Sequence, residues 1–273
     1  MFLGRLTSAA RFILSDRLMS YILYLGDTSL ATAAAYLAGV LHQSGWSYDY
    51  LPSDVTASAS QFERPYRAYI LSDYMAVRLP VSLQEKLIEQ VARGAGLLMI
   101  GGWESYHGLG GDWDGTPVAG ILPVEIADRD DRVNCDHPVF VRALNAAHSI
   151  TRDLPFEDRP PLIGGYNRFK ARGSGEVLLQ AWRYSARFEG PGHTRLPVLT
   201  PCGSDPLLVV GVHGHGRVAA LATDAAPHWV GPWVDWGSNR VKAQGPGASE
   251  IEVGHLYAQF FRQLVAWTGG WVA

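Results

Sequence analysis

Short apolar runs alternate with segments of helical periodicity in the first hundred residues. Residues 21–25 (Tyr-Ile-Leu-Tyr-Leu) and 96–100 (Gly-Leu-Leu-Met-Ile) contain no charged or polar-amide side chain. Strands that are apolar on both faces are typical of a parallel sheet covered by helices on both sides. The pattern predicts an α/β fold with a mostly parallel sheet. Parallel strands are expected at 21–25, 46–51, 68–72 and 96–100, and helices at 31–43 and 82–93.

The second half of the chain is less regular. Pro206–Val210 and Arg217–Leu221 flank Gly-Val-His-Gly-His-Gly, which predicts an antiparallel hairpin whose histidines, His213 and His215, serve turn geometry rather than metal binding. The Pro- and Gly-rich stretch 188–206 is expected to be a surface excursion. Further strands are predicted at 121–126, 162–170 and 176–182, and a closing helix at 250–267. Residues 1–20 are interpreted as an N-terminal extension and 21–273 as one domain.

Composition excludes several classes of partner. The net charge is −3 and the charges are scattered, so no basic stripe points to nucleic acid. No apolar run of membrane-spanning length is present, which predicts no membrane partner. Two cysteines, Cys135 and Cys202, lie far apart in no metal-type spacing. They favour a reducing compartment, so a cytoplasmic location is expected.

Polar residues follow the predicted strands. Asp27 follows the first strand, Asp73 the third, and the segment 101–107 the fourth. Parallel α/β sheets bind ligands beyond the carboxyl ends of their strands. The segment 223–229 follows another predicted strand. The sequence therefore predicts one ligand-binding rim, whose candidate residues are Asp27, Asp73, Trp103, Glu104, His107, Asp224, His228 and Trp229.

Five stretches of the chain carry a resemblance to a known family: Leu97–Ser105, Gly120–Glu125, His148–Pro155, Pro206–Gly211 and Gly216–Trp229. Together they resemble the glutamine-amidotransferase-like family of bacterial proteins, relatives of the trehalose-utilisation group. The resemblance covers the chain from about Tyr21 and implies a flavodoxin-like sandwich of the class I amidotransferase type, here decorated by the antiparallel hairpin and by Trp-rich loops.

One departure from the family pattern bears directly on activity. Active class I glutaminases carry a Gly-x-Cys-x-Gly elbow after the strand equivalent to 96–100 and a His-x-Glu pair near the C-terminus. Here the elbow reads Ile-Gly-Gly-Trp-Glu-Ser-Tyr-His over 100–107, and no His-x-Glu follows residue 213. Attack on the glutamine amide needs a thiolate activated by a base. The sequence therefore predicts a protein without glutaminase activity.

Other chemistries remain open at the same rim. Ser105, His228 and Asp224 form one candidate nucleophile, base and orienting acid, although Ser105 is displaced from the usual elbow spacing. The carboxylates and imidazoles of the rim are an alternative set of metal ligands. No metal-type spacing or dinucleotide-binding glycine pattern supports a metal or a cofactor, and neither is predicted.

The interpretation that the residues favour is binding or assembly. An indole beside carboxylates suits a polyol or a sugar, which pairs an apolar face with hydroxyl groups. The kinship with trehalose-utilisation proteins points to the same ligand class, as an analogy. The Trp-rich stretch 229–236 is equally compatible with a contact between subunits. A small-molecule ligand and a homo-oligomer are therefore the expected partners.

Overall fold

The fold was analysed on a computed structural model that describes residues 21–190 and 196–271. The predicted extension at 1–20 lies outside these residues. Within them the helices are α1 (Ala34–Gln43), α2 (Val81–Ala92), α3 (Pro117–Ile121), α4 (Pro227–Val234) and α5 (His255–Thr268). The strands of the first half are β1 (Tyr21–Gly26), β2 (Ser47–Leu51), β3 (Ala68–Ser72), β4 (Gly96–Ile100), β5 (Val124–Glu125), β6 (Arg132–Asn134) and β7 (Val139–Ala143). Those of the second half are β8 (Gly165–Asn167), β9 (Lys170–Ala171), β10 (Glu176–Glu189), β11 (Leu196–His213), β12 (Gly216–Leu221), β13 (Arg240–Ala243) and β14 (Ile251–Gly254).

The main sheet is mostly parallel and has the strand order β2-β1-β3-β4-β12-β11-β10-β7. The first five strands of this order are mutually parallel, with pairs such as Leu25 with Leu71 and Leu221 with Ile100. The prediction of four parallel strands in the first hundred residues is confirmed. The protein is therefore a mixed α/β structure built on an eight-stranded sheet.

The central strands are covered on both faces. Every residue of β3 and β4 is buried, and β1 is buried from Ile22 onwards. Helices α1 and α5 pack against each other, and α2 packs against α3. The predicted helices at 31–43 and 82–93 are present, with the first shortened to begin at Ala34. No helix in the described ranges is long and apolar enough to cross a membrane.

The antiparallel side of the sheet differs in part from expectation. The predicted hairpin is present, since β11 pairs with β12 around a turn at Gly214, where φ is 58°. His213 is half-buried and His215 is exposed. The stretch 188–206 is exposed at residues 188–190 and 197–204, as expected of a surface excursion. Its regular structure was not predicted, because β10 and β11 run through most of it as one long antiparallel pair. Proline and glycine do not prevent this, since the strands project from the sheet and are exposed there.

The Trp-rich segment 229–236 is not a loop. Its first part belongs to α4. Pro227 lies in the first turn of this helix, where a backbone N–H has no partner within the helix, so the missing N–H of proline costs no hydrogen bond. Trp233 is fully buried against Phe260, with ring centroids 4.8 Å apart. The ring centroids of Trp236 and Phe156 are also 4.8 Å apart. These indoles are part of the core of one chain.

At Gly26, at the end of β1, the backbones of β1 and β3 approach too closely to leave space for a side chain. A Cβ atom there would lie 1.5 Å from the Ser72 carbonyl oxygen, and its φ is 133°. Gly26→Ala is expected to lower the free energy of unfolding by at least about 2 kcal/mol, because both overpacking and backbone strain act against it. The measurement is urea unfolding followed by circular dichroism.

Gly120→Ala is the matched control, because nothing lies within 4 Å of a Cβ at this position in α3. It is expected to be neutral or to stabilise by up to about 1 kcal/mol, as alanine is favoured over glycine in a helix. Equal stability of the two variants would contradict the close approach at Gly26.

Candidate functional site

A cleft of about 460 Å³ lies at the carboxyl ends of the parallel strands. Six of the predicted rim residues line it: Asp27, Asp73, Trp103, Glu104, Asp224 and His228. They come from four separate strand ends, after β1, β3, β4 and β12. The segment that follows β12 therefore reaches the same rim as the first three strand ends.

Asp27 is held at the end of β1 by two tyrosines. The Tyr24 hydroxyl donates a hydrogen bond to its carboxyl group, and the Tyr50 hydroxyl donates to its carbonyl oxygen at 2.7 Å. The residue has a φ of 48°, in the left-handed region, where aspartate is tolerated better than most side chains. Burial raises the pKa of Asp27 to about 6, against the opposing effect of the Tyr24 hydrogen bond.

Asp73 occupies the equivalent position after β3, with a φ of 47°. The Glu104 backbone N–H donates to its Oδ1 at 2.6 Å, and the Asp73 N–H donates to Ser105 Oγ at 3.0 Å. A Cβ at Gly102 would lie 2.1 Å from Oδ1, so the turn after β4 closes directly on this carboxyl group. Burial, and then the nearby charge of Asp27, raises the pKa of Asp73 to about 7.

Asp224 completes the set after β12. It is 5% exposed, and its Oδ1 accepts a hydrogen bond from the Ala226 N–H at 2.8 Å. Burial raises the pKa of Asp224 well above its ordinary value, and the charges of Asp27 and Asp73 add to this effect. Three carboxyl groups with this mutual influence titrate as one coupled group. Each of the three groups therefore holds its proton more tightly than a free aspartic acid does, and a carboxyl group that keeps its proton can donate a hydrogen bond as well as accept one.

An aromatic ring and an imidazole accompany the carboxyl groups. Trp103 is 49% exposed, and the Arg132 guanidinium lies 4.8 Å from its ring centroid. His228 is exposed in the first turn of α4. Asp54 and Arg78 also line the cleft and were not predicted. The rule that found Asp27 points to Asp54 as well, because Asp54 follows the end of β2.

A buried amide fixes the turn that carries Trp103 and Glu104. Asn167 Oδ1 accepts from the Gly102 N–H at 2.9 Å, and its Nδ2 donates to the Gly102 carbonyl at 3.1 Å. Asn167 Nδ2 also donates to Asp131 Oδ1 at 2.8 Å, and Asp131 accepts the Gly108 N–H at 3.0 Å. No pattern in the sequence signals this pair, because the two residues lie far from the turn along the chain.

Comparison with known proteins identifies the family. The sequence profile of the family described as "Putative glutamine amidotransferase" matches residues 24–242. The chain belongs to this family. No curated protein matches it by sequence.

Two solved structures support the same fold for this glutamine amidotransferase-like chain. The cytoplasmic protein STM1381 of Salmonella typhimurium LT2 is 23% identical, with a TM-score of 0.68 over 91% of this chain and 99% of that one. The cytoplasmic protein STM3548 of Salmonella typhimurium is also 23% identical, with a TM-score of 0.67 over 90% and 98% of the two chains. At this level of sequence identity, both similarities are evidence for the fold alone.

Neither thiol of this amidotransferase-like chain lines the cleft. Cys202 is exposed on β11, and Cys135 is half-buried in the segment after β6. Burial raises the pKa of the Cys135 thiol to about 11, which disfavours the thiolate needed for attack.

Three predicted rim residues point elsewhere. Ser105 is buried, and its Oγ donates to the Ile100 carbonyl at 2.6 Å while accepting from Asp73. It positions Asp73 rather than facing the cleft. His107 Nδ1 lies 2.7 Å from Asp114 Oδ1, outside the cleft lining. Trp229 is buried, with its Nε1 donating to Asn134 Oδ1 at 3.3 Å.

The hydrolase and metal alternatives gain no geometric support. Ser105, His228 and Asp224 make no hydrogen bond to one another among the described residues. In residues 21–190 and 196–271, no three His, Cys, Asp or Glu side chains are placed so that they could hold a metal ion. The site is a cleft of coupled carboxyl groups with an aromatic wall.

The raised carboxyl pKa values predict an unusual pH dependence of stability. A folded-state pKa above the unfolded value stabilises the protein at low pH, and this contribution is lost as the pH rises through the folded pKa. For Asp73 the loss falls between pH values of about 4 and 7. Asp73→Asn keeps an acceptor for the Glu104 N–H and removes the charge. Its melting temperature should therefore rise relative to wild type as the pH increases from about 4.5 to 8.

Asp128→Asn, an exposed carboxylate outside the cleft, serves as the control and should show the wild-type dependence. Differential scanning fluorimetry across the pH range gives the comparison. Parallel curves for Asp73→Asn and wild type would mean that Asp73 ionises normally.

Proposed function

We propose that this chain is a glutamine amidotransferase-like protein that binds a small, hydroxyl-rich, sugar-like ligand and does not hydrolyse glutamine. The observation that carries the proposal is the convergence of Asp27, Asp73 and Asp224 with the exposed Trp103 ring on one cleft. Carboxyl groups whose pKa values are raised by burial and that lie together in a cleft are candidates for a functional site. None of the described residues that line the cleft is a cysteine, and for this reason we do not propose glutaminase activity.

The chemistry of the cleft matches that of a polyol. Ionised carboxylates can accept hydrogen bonds from the hydroxyl groups of a polyol, and a carboxyl group that keeps its proton can donate one to them. Trp103 offers an indole surface to the apolar C–H face of a sugar ring. His228 and Arg78 add donors at the same cleft. A volume of about 460 Å³ is in the range of sites that enclose small molecules.

The finer fold assignment and the location belong to the same proposal. Five parallel strands with helices on both faces support a flavodoxin-like sandwich of the class I amidotransferase type. Similarity to two proteins described as cytoplasmic supports a cytoplasmic location.

The ligand class is tested by a thermal-shift panel. Neutral mono- and disaccharides and linear polyols at about 10 mM are expected to raise the melting temperature of the wild-type protein. Asp224→Asn and His228→Ala should abolish the increase, because they change the donor and acceptor pattern of the cleft. Asp128→Asn should retain it. An absent response across the panel, or a full response in Asp224→Asn, would refute sugar binding in this cleft.

The absence of glutaminase activity is tested separately. The purified protein is expected to release no ammonia from glutamine above background, because neither cysteine lines the cleft. Ammonia is measured with a coupled glutamate dehydrogenase assay, before and after both thiols are alkylated. Turnover that is lost on alkylation would show that a thiol reaches the substrate and would overturn this part of the proposal.

A further inference from the structure

The hydrogen bonds around the three aspartates of the cleft are those of ionised carboxylates. Each of Asp27, Asp73 and Asp224 accepts a hydrogen bond, from a tyrosine hydroxyl in the first case and from a backbone N–H in the other two. A carboxylate only accepts hydrogen bonds, whereas a protonated carboxyl group also has a proton to donate. Donors directed at the three groups therefore favour their ionised forms, against the effect of burial.

The Ser72 hydroxyl is a further donor at the same place. Ser72 ends β3, its side chain is fully buried, and its Oγ has no hydrogen-bond partner among the described residues. Burial raises the pKa of Asp27, and the nearby Ser72 hydroxyl acts against this effect. A buried polar group without a partner costs stability, and this hydroxyl can donate to Asp27 once that group is ionised. Ser72 thus supports the charged form of Asp27.

The three carboxyl groups lack a counter-ion within the part of the chain that the structure describes. None of them forms an ion pair there with lysine, arginine or histidine. The Arg78 guanidinium lines the cleft but acts on Glu104, whose pKa is raised by burial and lowered by Arg78. The His228 imidazole is exposed. Buried charges are normally paired, so a bound ligand can supply the cation that is missing.

An ammonium group suits this arrangement better than a metal ion. Within the described ranges, no three His, Cys, Asp or Glu side chains are placed so that they could hold a metal ion. Metal–oxygen bonds are about 2.0–2.6 Å long. An ammonium group donates three hydrogen bonds, each about 2.7–2.9 Å from nitrogen to oxygen, so it reaches carboxyl groups that lie farther apart. Its three donors match the three aspartates in number.

We propose that the ligand is a hydroxyl-rich molecule with one protonated amine, of the amino-sugar class, and that Asp27, Asp73 and Asp224 bind its ammonium group. Because it names the class of sugar-like ligand, this assignment rests on the proposed function. The hydroxyl groups then lie on the more exposed side of the cleft, which Trp103 and Glu104 line. A neutral sugar leaves the carboxylates without a counter-ion and binds more weakly.

Matched ligands separate the effect of the charge from that of the hydroxyl groups. Isothermal titration calorimetry of the full chain near neutral pH, where a sugar amine keeps its proton, compares glucosamine, galactosamine and mannosamine with glucose, galactose and mannose. An amino sugar is expected to bind at least about tenfold more tightly than its neutral parent, because its amine donates to charged acceptors. N-acetylation should remove the gain. Cyclohexylamine, a charged ring without hydroxyl groups, should bind more weakly than the amino sugar.

Two variants locate the ammonium group. Asp73→Asn keeps an acceptor for the Glu104 N–H and removes one charge, so it should remove most of the preference for the amino sugar. Ser72→Ala removes the donor beside Asp27 and should weaken amino-sugar binding at least about threefold, with a smaller effect on the neutral parent. Melting temperatures show that both variants fold. Asp128→Asn, outside the cleft, should keep the wild-type preference.

The results that would overturn the assignment differ in what they leave standing. Neutral sugars that bind as tightly as their amino derivatives would refute the ammonium site and leave sugar binding in the cleft. Cyclohexylamine that binds as tightly as the amino sugars would refute the hydroxyl-rich ligand of the proposed function. A full preference in Asp73→Asn would place the ammonium group away from the three aspartates. No binding of any of these ligands would refute both the amino-sugar site and the proposed function.

Discussion

Burial of the central strands on both faces determines where this protein can place charge. β3 and β4 are buried at every residue, so no ionisable group can lie along them without losing its hydration. Charged side chains are therefore confined to the strand ends. Because β1, β3, β4 and β12 are parallel, their carboxyl ends meet at one edge. The gathering of Asp27, Asp73 and Asp224 follows from the sheet, although their burial at that edge does not.

The turn after β4 leaves no space for a side chain at two successive positions. Gly101 and Gly102 bring the backbone so close to its neighbours that a Cβ at 101 would lie 2.1 Å from the Ala222 carbonyl and one at 102 equally close to Asp73. Two hydrogen bonds between the Asn167 amide and the Gly102 backbone hold the turn in place. The turn is shaped around Asp73, and the next side chain directed to the cleft is an indole. Trp103 and Glu104 are the side chains that this turn contributes to the cleft.

The sequence predicts strand ends well and side-chain directions poorly. Position after an apolar strand was enough to find Asp73, because only the sheet is needed for that inference. The same reasoning placed Ser105 on the rim, where a hydrogen bond to the Ile100 carbonyl instead turns its hydroxyl inward. Asn167 acts over a long sequence separation that no periodicity encodes. The helix around Trp233 and the strand structure of residues 196–206 were not predicted, because proline and glycine are typical of loops, yet here they lie in a helix and in exposed strands.

The carboxyl cluster has an energetic cost that gives a reason for a ligand. Because burial and the charge of Asp27 raise the pKa of Asp73 to about 7, ionisation of this group costs stability, and the cost is present in full once the pH is above that value. Replacement by asparagine at the same size would avoid this cost and keep the hydrogen bond from the Glu104 N–H. A ligand whose hydroxyl groups donate to the carboxylates would offset the penalty, and would offset more of it as the pH rises and more charge is present. Ligand stabilisation that increases with pH is thus a property expected of a carboxylate-based site, whereas a site that only packs an apolar ring against Trp103 would be independent of pH.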